Sequence, residues 1–533
     1  MATCASRGGA FVAIFVACVS IVAPAQNLRG IHVGYPRAWD GDKFKNAYCP
    51  SRGIPEFLDG YFLCQLSASY GNQSNPRGQK LNHLIDGLGA VASFHISKGQ
   101  VFFSAAYYPA KPYKIWQFYG RSMSKSSIAW TAWSDFNRTA QLAWERIPAD
   151  IEAADYHPNL DFWKIGKKVV AGTEAPQWVG LTFDVPTLSH FQKFPFVENN
   201  DVFDKPAGEG DLVPITMPIH AREDPDTGLL WGASSAMSFS KLQFFHVVFS
   251  IDAHGKRTVE GTFEYPPWQA SLCDETHSYT GDTASLPGYM HSVTSTKHYL
   301  ILPITSLLIN PCKFRPPAHH DDDGAHVKKG GLWGLDFDKD TPMRFLVFNK
   351  MTKRFETTKP LSLHPAMWVS HQVNAFERPN GEIVADMIVY DNHDPYTKYF
   401  YTDFLKRRLY PNVARFLRFT IDVNTHRGKY EYIIPQETIS ADYPQINRAY
   451  SGATYRWAYV VLNPFSAGSA IVKVDVNERS GVRNNHFRAG VSMALHEPYF
   501  VSRPQPRSED DGVLLVKALD TKAKRGTTQP RHD

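Results

Sequence analysis

Long hydrophobic runs are nearly absent from this 533-residue chain. Beyond the first 25 residues none approaches the roughly 20 apolar residues that a membrane-spanning helix needs, which excludes a multispan membrane protein. Basic clusters are absent too. Lys and Arg total 57 against 52 Asp and Glu, and the formal charge of +5 is spread without any block of five or six cations. No nucleic-acid partner is expected from such a pattern. Cysteine is scarce, six in all, with no C-x-x-C or zinc spacing. A disulfide scaffold is excluded, while one or two bridges among Cys49, Cys64, Cys273 and Cys312 stay open, their pairing unreadable. Long amphipathic helix patterns are also few, Ala140 to Ile147 being a short candidate. No G-x-S-x-G, phosphate-binding loop or dinucleotide fingerprint falls between a strand and a helix.

The exception to the missing apolar runs is the N-terminus. Arg7 precedes an almost unbroken apolar stretch from Ala10 to Ala23, and Ala23-Pro24-Ala25 resembles a signal-peptidase site. Residues 1–25 are therefore expected to be a signal peptide and 26–533 a single domain in the secretory pathway, secreted or lumenal. An uncut anchor or a transit peptide is the alternative, and Arg7 as the only cation argues against the latter. Two sequons, Asn72-Gln73-Ser74 and Asn137-Arg138-Thr139, suit this route.

Aromatic residues are abundant at 13%, which suits β-structure and large apolar cavities. Short apolar or alternating segments recur between Gly, Asp and Asn turns. Ala92 to Ile96, a turn at Lys98-Gly99 and Val101 to Phe103 read as a hairpin. Gly381 to Tyr390, Phe416 to Val423 with Tyr430 to Ile434, and Ala470 to Val476 read as further strands. Many strands at meander spacing predict an all-β sandwich series or a propeller. Seven blades would average about 73 residues each, without a tight repeat consensus.

Histidines number 21, so most are ordinary surface or core residues. Three stand in ordered contexts: His220 before the turn Asp224-Pro225-Asp226, His291 before the strand Tyr299 to Leu302, and His371 leading to Asn374-Ala375-Phe376-Glu377. They are 71 and 80 residues apart, about one blade each, so inward histidines could meet on an axis. A sulfur-free imidazole site suits iron, zinc or copper with positions left open. The cluster His319-His320-Asp321-Asp322-Asp323 with His326 lies between Pro316-Pro317 and Gly330-Gly331 and reads as an exposed loop.

At these histidines the chain resembles the carotenoid cleavage oxygenases, a family of carotenoid and stilbene dioxygenases and the retinoid isomerase of the vertebrate eye. Ile54-Pro55-Glu56-Phe57-Leu58-Asp59-Gly60 is similar to its opening motif, and His83-Leu84-Ile85-Asp86-Gly87 to its H-x-F-D-G. Tyr289-Met290-His291-Ser292 with Thr296 and Tyr299 is similar to M-H-S-F-x-x-T-x-x-Y. His371 to Glu377 is similar to H-x-x-N-A-[YWF]-E, and Asp442-Tyr443-Pro444-Gln445-Ile446-Asn447 to E-F-P-x-I-N. Glu497-Pro498 with Glu509-Asp510-Asp511-Gly512 is similar to the closing E-P and E-D-D-G strings. The six matches fall in order across residues 45 to 520.

The resemblance implies a seven-bladed propeller capped by a dome of loops and short helices over an axial ferrous ion. His220, His291 and His371 would be three of four ligands, with Glu174, Asp442 and Glu497 orienting ligands from behind. It implies dioxygen-dependent cleavage of a conjugated C=C bond, with carotenoids or apocarotenoids as substrates and stilbenes next, and no side chain acting as a catalytic acid or base. A polyene-binding propeller without turnover is the alternative. The family's fourth histidine lies beyond E-D-D-G, where this sequence offers only His532, so the closing strand is expected to be missing. The usual R-N-G-P is replaced by Cys64-Gln65-Leu66-Ser67-Ala68, which marks the chain as divergent. An apolar and basic segment, Lys111 to Tyr119, is the candidate for contact with a membrane surface.

Overall fold

The computed structural model describes residues 12–16, 44–67, 83–110, 113–114, 158–174, 180–198, 202–203, 211–314, 334–400, 414–434, 440–464, 468–478, 486–491 and 493–520. The architecture is all-β, a β-propeller whose blades follow the chain. The first blade comprises Phe44–Cys49, Gly60–Ser67, Gly89–Ser97 and Gln100–Tyr107, and the second Asp161–Ile165, Lys168–Gly172, Leu181–Asp184 and Ser189–Lys193. The third is built on Leu212–Thr216, Leu230–Ser238, Gln243–Ile251 and Lys256–Glu264. The fourth is built on Thr294–Ser295, Tyr299–Ile304, Met343–Asn349 and Arg354–Phe355. The fifth comprises Trp368–Glu377, Ile383–Tyr390, Ala414–Asp422 and Arg427–Tyr432, and the sixth Ala441–Ile446, Trp457–Leu462, Ala470–Asp475 and His486–Phe487.

Six sheets of four or more strands are therefore present among the described residues, where seven blades were expected. The physical reason lies in the last sheet. Met493–Ser502 pairs antiparallel with Gly512–Asp520, but the outer neighbour of Gly512–Asp520 is Val12–Val16, which runs parallel to it from Val12↔Val513 to Val16↔Lys517. That sheet has three strands and mixed direction, so it is not a four-stranded meander. Part of the apolar stretch expected to belong to a signal peptide thus lies on this edge and satisfies backbone groups that an exposed edge strand would leave unpaired.

The strands form where period-two patterning and turn chemistry agree. Lys98 and Gly99 both take positive φ (49° and 74°), the geometry of a two-residue hairpin turn whose twist matches its strands. This closes the hairpin read from the sequence. Central strands are buried on both faces because blades stack on one another: Ile383–Tyr390 is buried at every position. The largest apolar cluster passes from Phe244 through Leu302 and Phe348 to Trp368, Ile388 and Val460, crossing four successive blades. Cys273 and Cys312 form a disulfide. Ala140 to Ile147 and the His319 to His326 run lie outside the described residues. Of the proposed membrane segment only Tyr113 and Lys114 are described, and Tyr113 is buried, stacked on Tyr107 at 4.5 Å. No helix among the described residues is long and apolar enough to cross a membrane.

One buried ion pair braces the fifth blade. Asp386 is fully buried and receives two bonds from Arg418, at 2.8 and 2.7 Å, and one from the Tyr455 hydroxyl at 2.6 Å. Removing one partner strands the other, which typically costs about 3–5 kcal/mol. Asp386→Ala is expected to lose stability of that order in a denaturant titration, and a loss within error of zero would contradict the pairing.

Candidate metal centre

His220, His291 and His371 converge, each offering a ring nitrogen within 4.8 Å of the others. Their ring centroids are 4.9, 5.4 and 5.3 Å apart, and the ring planes cross at 73°, 67° and 71°. Three near-perpendicular imidazoles face one point. His371 is on the first strand of the fifth blade, Trp368–Glu377, whose pairing slips on both sides of it, between Val369 and His371 and between Gln372 and Asn374. Such bulges re-aim side chains. His291 lies just before Thr294–Ser295, and His220 lies on no regular strand but makes an isolated bridge with Ser292. Ser292 joins the three segments. Its hydroxyl donates to the Ser370 carbonyl at 3.3 Å and accepts from the Gln372 N–H at 3.1 Å.

Each histidine has a carboxylate behind it. His371 Nδ1 is 2.6 Å from Asp442 Oδ1, His291 Nδ1 is 2.6 Å from Glu174 Oε1 along an oblique approach, and His220 Nδ1 is 2.8 Å from Asp161 Oδ2. With Nδ1 hydrogen-bonded in His220 and His371, Nε2 of these two is left free to donate its lone pair, while His291 Nδ1 has its carboxylate close by without a hydrogen bond. Tyrosines complete two of the pairs: the Tyr289 hydroxyl donates to Glu174 and the Tyr390 hydroxyl to Asp442. Asp442 is aimed by a bulge between Asp442 and Gln445, where Tyr443 takes φ 54°, a conformation that a bulky residue adopts only under strain.

The electrostatics separate the histidines. Burial presses His371 toward its neutral form, but the charge and hydrogen bond of Asp442 outweigh it and raise its pKa. At His220 burial wins over Asp161 and the pKa falls. Asp442 and Asp161 are both held below the usual carboxylate range: burial opposes this, and their histidine partners override it. Glu497 is raised, first by burial and then by the Asp161 charge. It accepts a bond from Gln445 Nε2 at 2.5 Å.

The structure therefore brings together all three histidines read from the sequence and sets Glu174 and Asp442 against two of them. Glu497 lies near the group, and its hydrogen bond among the described residues is to Gln445 rather than to a clustered histidine. Asp161 was missed: it belongs to none of the matched strings, and only its position opening a strand hints at an inward carboxylate. Other motif residues act as braces. Asn374 bonds Tyr450, Gly452 and Ala453 backbone groups at 3.0 Å each. Glu377 accepts from Thr296 at 2.6 Å and from the His298 N–H at 2.9 Å. His83 is buried and neutral, its pKa pushed down to about 3 by desolvation, and its Nε2 lies 2.8 Å from the Tyr396 carbonyl. This bond ties the H-L-I-D-G turn to Pro395–Tyr399, which follows the second strand of the fifth blade.

The fold and site together define a β-propeller in which three imidazoles converge, each with a carboxylate near its Nδ1. The particular family follows from comparison. The profile described as retinal pigment epithelial membrane protein (RPE65) matches residues 51–529, and the chain belongs to that family, the carotenoid oxygenases. It is 22% identical over 507 residues to the beta,beta-carotene 15,15'-dioxygenase of Mus musculus, covering 88% of this chain and 81% of the relative. It is 25% identical over 303 residues to the apocarotenoid-15,15'-oxygenase of Synechocystis, covering 56% and 54%. Among solved structures, cobalt-substituted Synechocystis ACO superposes with a TM-score of 0.64 at 19% identity, covering 90% of this chain and 88% of the other.

Proposed function

We propose that the chain is an iron(II)-dependent oxygenase that uses dioxygen to cleave a conjugated C=C bond of a carotenoid or apocarotenoid to carbonyl products. The observation that carries this reading is the meeting of His220, His291 and His371, each with a carboxylate within 2.8 Å of its Nδ1. Three imidazole nitrogen donors without sulfur fit iron(II) and leave coordination positions open. When bound, the metal supplies the electron chemistry of dioxygen. The chain's own residues hold the imidazoles in one tautomer. The relatives named for carotene and apocarotenoid oxygenation support the substrate class.

We propose further that the protein passes through the secretory pathway; the Cys273–Cys312 disulfide supports an oxidising compartment. The test of function is anaerobic loading with iron(II), followed by incubation with β-carotene or an apocarotenal in detergent with and without oxygen. About one iron per chain and oxygen-dependent aldehyde products are expected. Iron-free protein that holds the polyene unchanged would favour a carrier instead.

A further inference from the structure

His371 lies on a strand, whereas His220 and His291 each lie just before a two-residue strand, Arg222–Glu223 and Thr294–Ser295, and His220 makes an isolated bridge with Ser292. Its ring needs another anchor, and the structure provides one on the neighbouring blade. We propose that Asp161 is a positioning residue of the centre, the third carboxylate that fixes His220 with its proton on Nδ1 and its Nε2 lone pair toward His291 and His371. The inference rests on the metal-centre reading above and extends it to a residue outside the motifs.

The geometry is specific. Asp161 opens the strand Asp161–Ile165. Its Oδ2 is 2.8 Å from His220 Nδ1, and its Oδ1 accepts the Phe162 N–H at 2.7 Å, so both oxygens are committed and the carboxylate plane is set. The backbone is fastened at two further points. The Asp161 carbonyl accepts from Gln65 Nε2 at 3.0 Å, and the Trp163 indole N–H donates to the Ile219 carbonyl at 2.6 Å. That second bond locks the carboxylate-bearing strand to the residue preceding His220. Carboxylate and imidazole are thus positioned by one rigid unit spanning two blades. The Asp161 side chain retains 39% of its surface and His220 20%, so the pair is partly buried. A buried imidazole backed by a carboxylate is a more basic and better oriented ligand than one backed by water.

The test uses the full chain and cobalt(II) as the probe. Wild type, D161N and D161A are compared for cobalt(II) affinity by chelator competition. The imidazole N–H signals of the metal-free proteins are compared after ¹⁵N-histidine labelling, and melting curves verify folding. D161A is expected to weaken cobalt(II) binding by roughly 10- to 100-fold and to lose one hydrogen-bonded Nδ1–H signal. D161N, which keeps an acceptor of the same size, is expected to lose less, and it serves as the variant of record if D161A does not fold. Wild type that binds cobalt(II) while the folded variants bind it equally well, with the N–H signals unchanged, overturns the assignment of Asp161 alone. Wild type that takes up no cobalt(II) overturns the metal centre on which the assignment rests.

Discussion

His291→Ala is expected to remove metal binding and oxygenase activity together, and His220→Ala and His371→Ala are expected to do the same. Each deletes one of three nitrogens that lie within 4.8 Å of one another, so the loss should exceed the roughly 10- to 100-fold that removing an outer partner costs. The effects should be strongly non-additive, because a centre already broken by one substitution has little left for a second to remove. His291 gives the cleanest comparison, being 8% exposed and adjacent to Ser292, whose contacts do not depend on the ring. Iron per chain, measured on folded protein of matched melting behaviour, checks the prediction.

Asp442→Ala is expected to have the second large effect, on affinity and on stability. It removes the carboxylate that His371 Nδ1 and the Tyr390 hydroxyl both bond. A loss of about 10- to 100-fold in iron affinity follows from the outer-partner role, and about 3 kcal/mol of stability from leaving buried partners uncompensated. Asp442→Glu should lose less than Asp442→Ala, since it keeps the charge that faces His371. A pH dependence accompanies this pair. A metal ligand must be deprotonated, and Asp442 raises the pKa of His371, so protons compete for this ligand over a wider range. Iron affinity should rise with pH through the raised pKa. Asp442→Asn, which lacks the charge, should move that onset to lower pH even as it weakens binding overall. An unmoved onset in Asp442→Asn would mean that another group controls the titration.

The sequence made the strands and the three histidines legible for different reasons. Strands such as Ile383–Tyr390 and the hairpin at Lys98-Gly99 announce themselves through apolar patterning and turn residues, which are local properties. The histidines stood out by their contexts, and their convergence required a closed arrangement of blades that no local pattern encodes. Asp161 was illegible because its partner is 59 positions away on another blade and nothing in its own neighbourhood separates it from a surface aspartate. The bulges at His371 and Asp442 were equally hidden. A period-two reading places these side chains by alternation, and the pairing slips override alternation at the site itself. The count of seven blades failed at the last sheet, whose third strand comes from Val12–Val16 in parallel pairing, a partner that meander spacing does not suggest.

The most direct measurement is X-ray absorption at the iron edge on protein loaded with one equivalent of iron(II), compared with His291→Ala. Nitrogen and oxygen donors carrying the multiple-scattering signature of about three imidazoles are expected around the iron, with no sulfur, and with collapse of that signature in the variant. Sulfur in the first shell, or an imidazole signature undiminished in folded His291→Ala, would contradict the three-histidine centre.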